Sequence, residues 1–213
     1  MVKEGYWYGL PLALIAGGLA GLWLRERTSS FLFLAFIFLV LALLVLNFFR
    51  DPDRVIPQDP RAIVSPADGR VVQVTEEAYQ GRPMRRLSIF MSPLDVHVNR
   101  APIAGTVREV SYRKGSFRVA SQASASLENE QNVFTVQGEQ GEVVVKQIAG
   151  LLARRIVFWK RPGDTLARGE RVGLIKFGSR VDVLVEPQVE WRVKVGDRVR
   201  AGSSILGYTQ PAA

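Results

Sequence analysis

Val172-Gly173-Leu174-Ile175-Lys176-Phe177-Gly178-Ser179-Arg180-Val181-Asp182-Val183-Leu184-Val185 reads as one apolar run broken in its middle by a glycine and a serine. The density of Val, Ile and Leu on both sides of the break is that of a buried strand, and the β-branched content favours strand over helix. The Gly-Ser pair has two readings. One is a β-bulge or tight bend, where glycine relieves crowding and serine is solvated. The other is a self-cleaving bond, in which the Ser179 hydroxyl attacks the carbonyl of Gly178. The dipeptide alone favours the bulge, so the choice rests on the rest of the chain.

Working outward, short alternating or apolar runs fill most of the sequence beyond residue 62, at 63–64, 69–74, 86–91, 105–112, 132–136, 142–148, 155–158, 172–177, 181–185 and 190–195. Gly, Pro and Asp separate most of them, which predicts a mainly β domain. Helix is expected there only in a short stretch at 123–129. A weak repeat is present: Arg161-Pro162-Gly163-Asp164-Thr165-Leu166-Ala167-Arg168-Gly169 returns 33 residues later as Lys194-Val195-Gly196-Asp197-Arg198-Val199-Arg200-Ala201-Gly202. Gly-Asp at a turn, a strand start and a second Gly predict two corners of a compact sandwich. The pattern is similar to barrel-sandwich hybrid domains such as lipoyl and biotinyl carriers, without the lysine context those carriers modify.

The N-terminal part differs. Residues 6–24 and 31–49 are apolar runs of 19 residues each, long enough at 1.5 Å per residue to cross a hydrocarbon core of roughly 30 Å. Residues 25–30 between them are polar. The region lacks the basic start and small-residue cleavage site of a signal peptide, so a membrane helical hairpin is expected. Pro11 and Gly17-Gly18 weaken the first run and leave open a re-entrant or interfacial segment. Residues 50–62, rich in proline and charge, read as a stiff linker. The expected organisation is therefore a membrane-associated hairpin at 1–49, a linker at 50–62 and a β-rich domain at 63–213. Basic residues are nearly balanced across the hairpin, so charge does not orient it.

With no cysteine and a single histidine in 213 residues, disulfides are excluded and no metal site is expected. The formal charge is +8, of which +1 lies in residues 1–49. A basic domain tied to a bilayer is drawn to anionic headgroups, each nearby cation contributing about 1 kcal/mol. Nucleic acid, the competing partner for such a charge, is not expected, because the basic residues are dispersed and no recognition motif accompanies them.

Two further stretches change the reading of Gly178-Ser179: Ser65-Pro66-Ala67-Asp68-Gly69, and Phe90-Met91-Ser92-Pro93-Leu94-Asp95-Val96-His97-Val98-Asn99-Arg100-Ala101-Pro102. In this order, and from about residue 51 to the end, the chain resembles the phosphatidylserine decarboxylases in their short form, and the similar archaetidylserine decarboxylases. Taken singly, Asp68 is an ordinary turn residue and His97 an ordinary strand histidine. The conjunction is what carries the resemblance.

The resemblance implies self-cleavage between Gly178 and Ser179, conversion of Ser179 to a pyruvoyl group, and a heterodimer of a large chain (1–178) and a small chain (179–213). It also implies a phospholipid substrate at a cell membrane, with the catalytic domain on the cytoplasmic face, and conversion of phosphatidylserine to phosphatidylethanolamine. A carbonyl cofactor is what amino-acid decarboxylation needs, since no side chain accepts the electron pair left by carbon dioxide. His97 is the expected base for Ser179, oriented by Asp68, with Asp95 as a rival orienting group because it lies two residues from His97 on an extended segment. Longer family members carry a second histidine where this chain has Arg100. His97 is therefore expected to serve both maturation and later proton transfer, while Arg100 and Arg180 are expected to hold substrate anionic groups. Two alternatives stand beside this reading: a membrane-anchored barrel-sandwich adaptor without activity, and a decarboxylase of archaetidylserine.

Overall fold

A computed structural model describes residues 1–116, 128–139, 141–150, 155–176 and 179–209. Two compact units are present, Met1–Pro52 and Asp53–Ala213.

The first unit is a hairpin of α1 (Lys3–Glu26) and α2 (Ser29–Phe48), and both helices are long and apolar enough to cross a membrane. The polar connection contracts to Arg27 and Thr28. Arg27 adopts the left-handed conformation and its N–H returns to the Trp23 carbonyl at 2.8 Å, which closes α1. Pro11 lies inside α1 without ending it, as is tolerated in apolar helices whose neighbours support the backbone. Small residues set the approach of the two helices. A Cβ added at Gly5 would stand 2.8 Å from Phe49 Cβ, and one at Gly9 only 2.5 Å from Leu46 Cδ2. Ala16, Ala35 and Ala42 are likewise buried, while Trp7, Leu14 and Phe36 are exposed. Small residues inside and large apolar ones outside is the pattern of helices packed within lipid.

The second unit is mainly β, as the alternation of its short runs predicts. Its strands are β1 (Ala62–Val64), β2 (Gly69–Tyr79), β3 (Arg82–Met91), β4 (Val98–Arg100), β5 (Gly105–Arg113), β6 (Gln131–Gly138), β7 (Gly141–Ala149), β8 (Arg155–Phe158), β9 (Thr165–Leu166), β10 (Arg171–Lys176), β11 (Ser179–Val185), β12 (Glu190–Trp191), β13 (Arg198–Val199) and β14 (Ile205–Tyr208). Eight form a curled sheet in the order β13-β2-β3-β11-β7-β6-β5-β9, and two three-stranded sheets run β1-β14-β12 and β4-β10-β8. The expected strand at 190–195 shortens to β12. The short β4, β9, β13 and β14 were not among the predicted runs. The helix expected at 123–129 lies almost wholly outside the described residues.

The strand order is a palindrome in function of position. β13 corresponds to β9, β2 to β5, β3 to β6 and β11 to β7, with the pseudo-twofold between β11 and β7; the smaller sheets exchange in the same way. Local detail repeats too. Gly196 N–H bonds the Val71 carbonyl and Gly163 N–H the Val107 carbonyl, both at 2.8 Å. Asp197 and Asp164 accept the N–H groups of Lys194 and Arg161 at 2.9 and 2.8 Å. The register of β2 against β3 shifts after Val71, and that of β5 against β6 after Val107. The Gly-Asp repeat is thus the visible part of a duplicated half-domain. Its two closing glycines, Gly169 and Gly202, touch near Ile56, so the segment read as linker is built into this unit from Asp53 onward.

One core serves both halves: Val71, Leu87, Ile89 and Met91 pack with Phe134, Val136, Val145, Val181 and Val183. β11 is central. It pairs with β3 on one edge and β7 on the other, and every residue in it is buried.

Gly69 and Gly105 stand at equivalent close approaches. A Cβ at either would lie 2.2 Å from a carbonyl oxygen, that of Phe90 or that of Gln137. Gly69→Ala and Gly105→Ala are each expected to destabilise the domain by about 2–3 kcal/mol, read as a lowered Tm in thermal unfolding. Wild-type Tm in both variants would contradict the packing described.

Candidate active site

The duplicated scaffold brings Ser179 and Asp68 to the same end of the large sheet. Val199 in β13 pairs with Gly69 in β2, Gly69 packs on the Phe90 carbonyl in β3, and Met91 pairs with Ser179 in β11, which pairs in turn with Ala149 in β7. Neighbouring strands lie about 4.8 Å apart, so Gly69 stands roughly 10 Å from Ser179, two strands away. Gly178 lies outside the described residues.

Ser179 is fully buried, and its Oγ donates to the Met91 Sδ at 3.4 Å. Successive strand residues face opposite sides, so Ser179 shares its face with Val181 and Val183, both in the main core. Arg180 points to the other side. There its Nε donates to Asp182 Oδ1 at 2.6 Å and its Nη2 to Ser88 Oγ at 2.8 Å, with the guanidinium 1 % exposed. The role in holding substrate expected of Arg180 does not agree with this placement, because the strand alternation turns it away from Ser179.

His97 precedes β4. Its carbonyl accepts the Ile175 N–H at 3.3 Å, four residues before Ser179, and its ring is buried. Nδ1 lies 2.9 Å from the Asp95 main-chain carbonyl. A carbonyl only accepts, so Nδ1 carries the proton, and in the neutral ring Nε2 is the basic nitrogen. The orienting bond that sequence reasoning sought from a carboxylate therefore comes from backbone here. Asp68 instead takes Arg54 on both oxygens, at 3.0 and 2.9 Å, and its Oδ1 also accepts the Ala201 N–H at 2.8 Å. The Asp95 carboxylate accepts the Ser92 N–H at 2.8 Å and closes the turn that carries His97. Asp68 and Asp95 nevertheless share one cleft of about 500 Å³, lined also by Arg198, Arg200, Ser203 and Ser204.

Arg100 is buried. Its Nη1 donates to the Gly169 carbonyl at 3.0 Å and its Cδ packs against Gly202. It therefore braces the two repeat corners, and the substrate-holding role expected of it does not agree with this placement either.

Sequence reasoning also passed over a chain of buried amides on the Ser179 face. Asn132 Nδ2 donates to Gln147 Oε1 at 2.9 Å, Gln147 Nε2 to Asn99 Oδ1 at 2.8 Å, and Asn99 Nδ2 to the Pro66 carbonyl at 3.4 Å. Asn99 Nδ2 also lies 3.8 Å from the Met91 sulfur that contacts Ser179. Asn99 stood within a quoted motif, but Gln147 and Asn132 are dozens of residues away and only strand register unites them. Among the described residues no cluster of His, Asp and Glu is arranged to hold a metal ion.

Residues 41–207 match the family model for phosphatidylserine decarboxylase. A phosphatidylserine decarboxylase proenzyme of Solibacter usitatus is 54% identical over 206 residues, covering 97% of this chain and 95% of the relative. Proenzymes of the same name from Salinibacter ruber and Geobacter metallireducens are 45% and 44% identical, each over 97% of this chain and over 83% and 95% of their own lengths. A match over most of the chain and high identity across nearly its full length lead to one conclusion: this chain belongs to the phosphatidylserine decarboxylase family.

Proposed function

We propose that this chain is a proenzyme that cuts itself between Gly178 and Ser179 and then decarboxylates phosphatidylserine to phosphatidylethanolamine. The observation that carries the reading is the buried Ser179 at the mouth of the central strand, on the row that leads to Gly69 and Asp68. Family membership supports it over an adaptor without activity. Archaetidylserine would enter the same chemistry, and the names of the relatives favour phosphatidylserine.

In maturation His97 Nε2 takes the Ser179 hydroxyl proton. Oγ then bonds to the Gly178 carbonyl carbon as the Gly178–Ser179 C–N bond breaks, leaving an ester and a free Ser179 amine. Loss of the Ser179 Cα proton and cleavage of the Cβ–Oγ bond release residues 1–178 with a C-terminal carboxylate. Water then replaces the nitrogen at position 179, which departs as ammonia. The surroundings fit a carbonyl group formed there: position 179 is buried, its face-neighbours Met91 and Val181 are uncharged, and the amides of Asn99 and Gln147 lie behind them. Once formed, the pyruvoyl group supplies the electron-accepting carbonyl for loss of carbon dioxide. His97 Nε2, having taken up a proton from the substrate ammonium group, is then the proton donor to the substrate Cα, since no second histidine exists. Asp68 holds Arg54 and the Ala201 N–H at the cleft wall, and so positions the loop facing the reaction.

After cleavage, β11 anchors the short chain by pairing on both edges. The helical hairpin holds the protein to the membrane, and the catalytic domain works on its cytoplasmic face.

On a denaturing gel the purified protein is expected as fragments of roughly 20 and 4 kDa, from the lengths of 178 and 35 residues, and mass spectrometry should find the smaller one blocked by pyruvoyl. Ser179→Ala should remain a single chain, and His97→Ala should cut at least about 100-fold more slowly. An intact wild-type polypeptide that releases no carbon dioxide from phosphatidylserine would end the proposal.

A separate comparison addresses Asp68. Asp68→Asn is expected to slow cleavage more than Arg54→Met does, at a similar loss of Tm. Equal rates in the two variants would reduce Asp68 to an anchor for Arg54.

A further inference from the structure

The duplicated fold provides an internal control for the cleft beside Asp68. The pseudo-twofold mate of that cleft is a cavity of about 560 Å³ lined by Ala104, Gly105, Thr165, Leu166, Arg168 and Gln137. Ala104 occupies the position of Asp68, Thr165 that of Arg198, and Ala167 that of Arg200. The same turns, the same glycine approach and the same strand pairing are built there without those charged groups. The turn and strand pairing therefore do not require Arg198 or Arg200, and Asp68 adds to them its bonds to Arg54 and the Ala201 N–H. They are present only at the end of the sheet that carries Ser179.

Arg198 and Arg200 are exposed, and Ser203 and Ser204 line the cleft with them. The Asp68 carboxylate is matched by Arg54, so three guanidiniums against the carboxylates of Asp68 and Asp95 leave the cleft with one positive charge in excess. Asp95, which lines the cleft, ends a turn that begins at Ser92, and Leu94 next to it in that turn is 68 % exposed. A cationic cleft with an apolar lip suits the headgroup of a lipid more than a free metabolite.

We infer that this cleft is the headgroup subsite, in which Arg198 and Arg200 bind the phosphodiester of the substrate, an inference that rests on the decarboxylase reading. The scale is right. The phosphorus of a serine phospholipid lies roughly 5 Å from its amine at bond lengths of about 1.5 Å, and β13 lies three strands from β11, about 14 Å at 4.8 Å per strand, a span that such a headgroup and an extended arginine of roughly 7 Å cover together. The chemistry also selects phosphate over carboxylate. The carboxylate charge disappears as carbon dioxide leaves, so cations that held it would stabilise the ground state and oppose reaction. The phosphodiester keeps its charge throughout, and binding it equally in ground and transition states lowers KM.

The test uses the full chain in detergent with Arg198→Gln/Arg200→Gln. Self-cleavage on a denaturing gel should proceed as in the wild type. KM for phosphatidylserine in mixed micelles should rise about tenfold or more, with the loss falling in KM rather than kcat. Calorimetric titration with glycerophosphoserine should show a similar loss of affinity, and competitive inhibition by inorganic phosphate should weaken in parallel. A cleaved, active double variant with wild-type KM and wild-type glycerophosphoserine affinity would overturn the assignment. So would a variant that loses only inhibition by inorganic phosphate, since that result makes the cleft a free-phosphate site. If the wild type does not cut itself, the decarboxylase reading fails, while the glycerophosphoserine titration still reports on the cleft. Should the double variant lose its fold, the single changes Arg198→Gln and Arg200→Gln carry the same test.

Discussion

Pairing of β11 on both edges, with both faces covered, is the constraint on which the rest of the domain depends. Seven consecutive residues bond to β3 on one side and β7 on the other, and all are buried. Such a strand has no freedom of register, because a shift by one would bring Arg180 and Asp182 into the apolar core and Val181 and Val183 out of it. Ser179 is thereby held at a defined depth, against Met91, before any chemistry begins. The same pairing would let a chain cut just before Ser179, as proposed, keep its C-terminal part, because the strand's hydrogen bonds are made to residues of the long portion.

The pseudo-twofold around β11 and β7 explains why a domain with so many short strands is coherent. Each half wraps a Gly-Asp turn over the start of a long strand, and Ile56 fills the place where the two closing glycines meet. Duplication separates scaffold from chemistry. What both halves share is turn geometry and core packing; what differs is the set of charged side chains at one end. Arg198 and Arg200, whose places in the other half are taken by Thr165 and Ala167, are not needed for the turn geometry that both halves share.

Polar groups inside the domain follow the same economy of partners. Arg180 and Asp182 bond each other within one strand, and the amides of Asn132, Gln147 and Asn99 bond in sequence. An unpaired buried polar atom costs about 1–3 kcal/mol, so these groups persist because the register brings their partners to them. In the helical hairpin the opposite condition holds. There glycine and alanine lie at the interface, the close packing that helices need in lipid, where association brings no hydrophobic gain.

How much of this was legible before folding differs by element. The alternation of short runs, the two 19-residue apolar stretches and the Gly-Asp repeat determined a β domain behind a helical hairpin, because periodicity and length are local properties of a chain. The three motifs around Asp68, His97 and Ser179 were legible as a set by resemblance. Their geometry was not: the partner of His97 Nδ1 is a backbone carbonyl, which no side-chain pattern announces. Arg100 and Arg180 read as anion binders from their charge, whereas strand direction buries both against internal partners. Arg198 and Arg200 sat in the repeat in plain view. Only the tertiary fold, by pairing β13 with β2 beside Gly69, made them neighbours of Asp68, because contacts between distant residues are decided by register and not by sequence spacing.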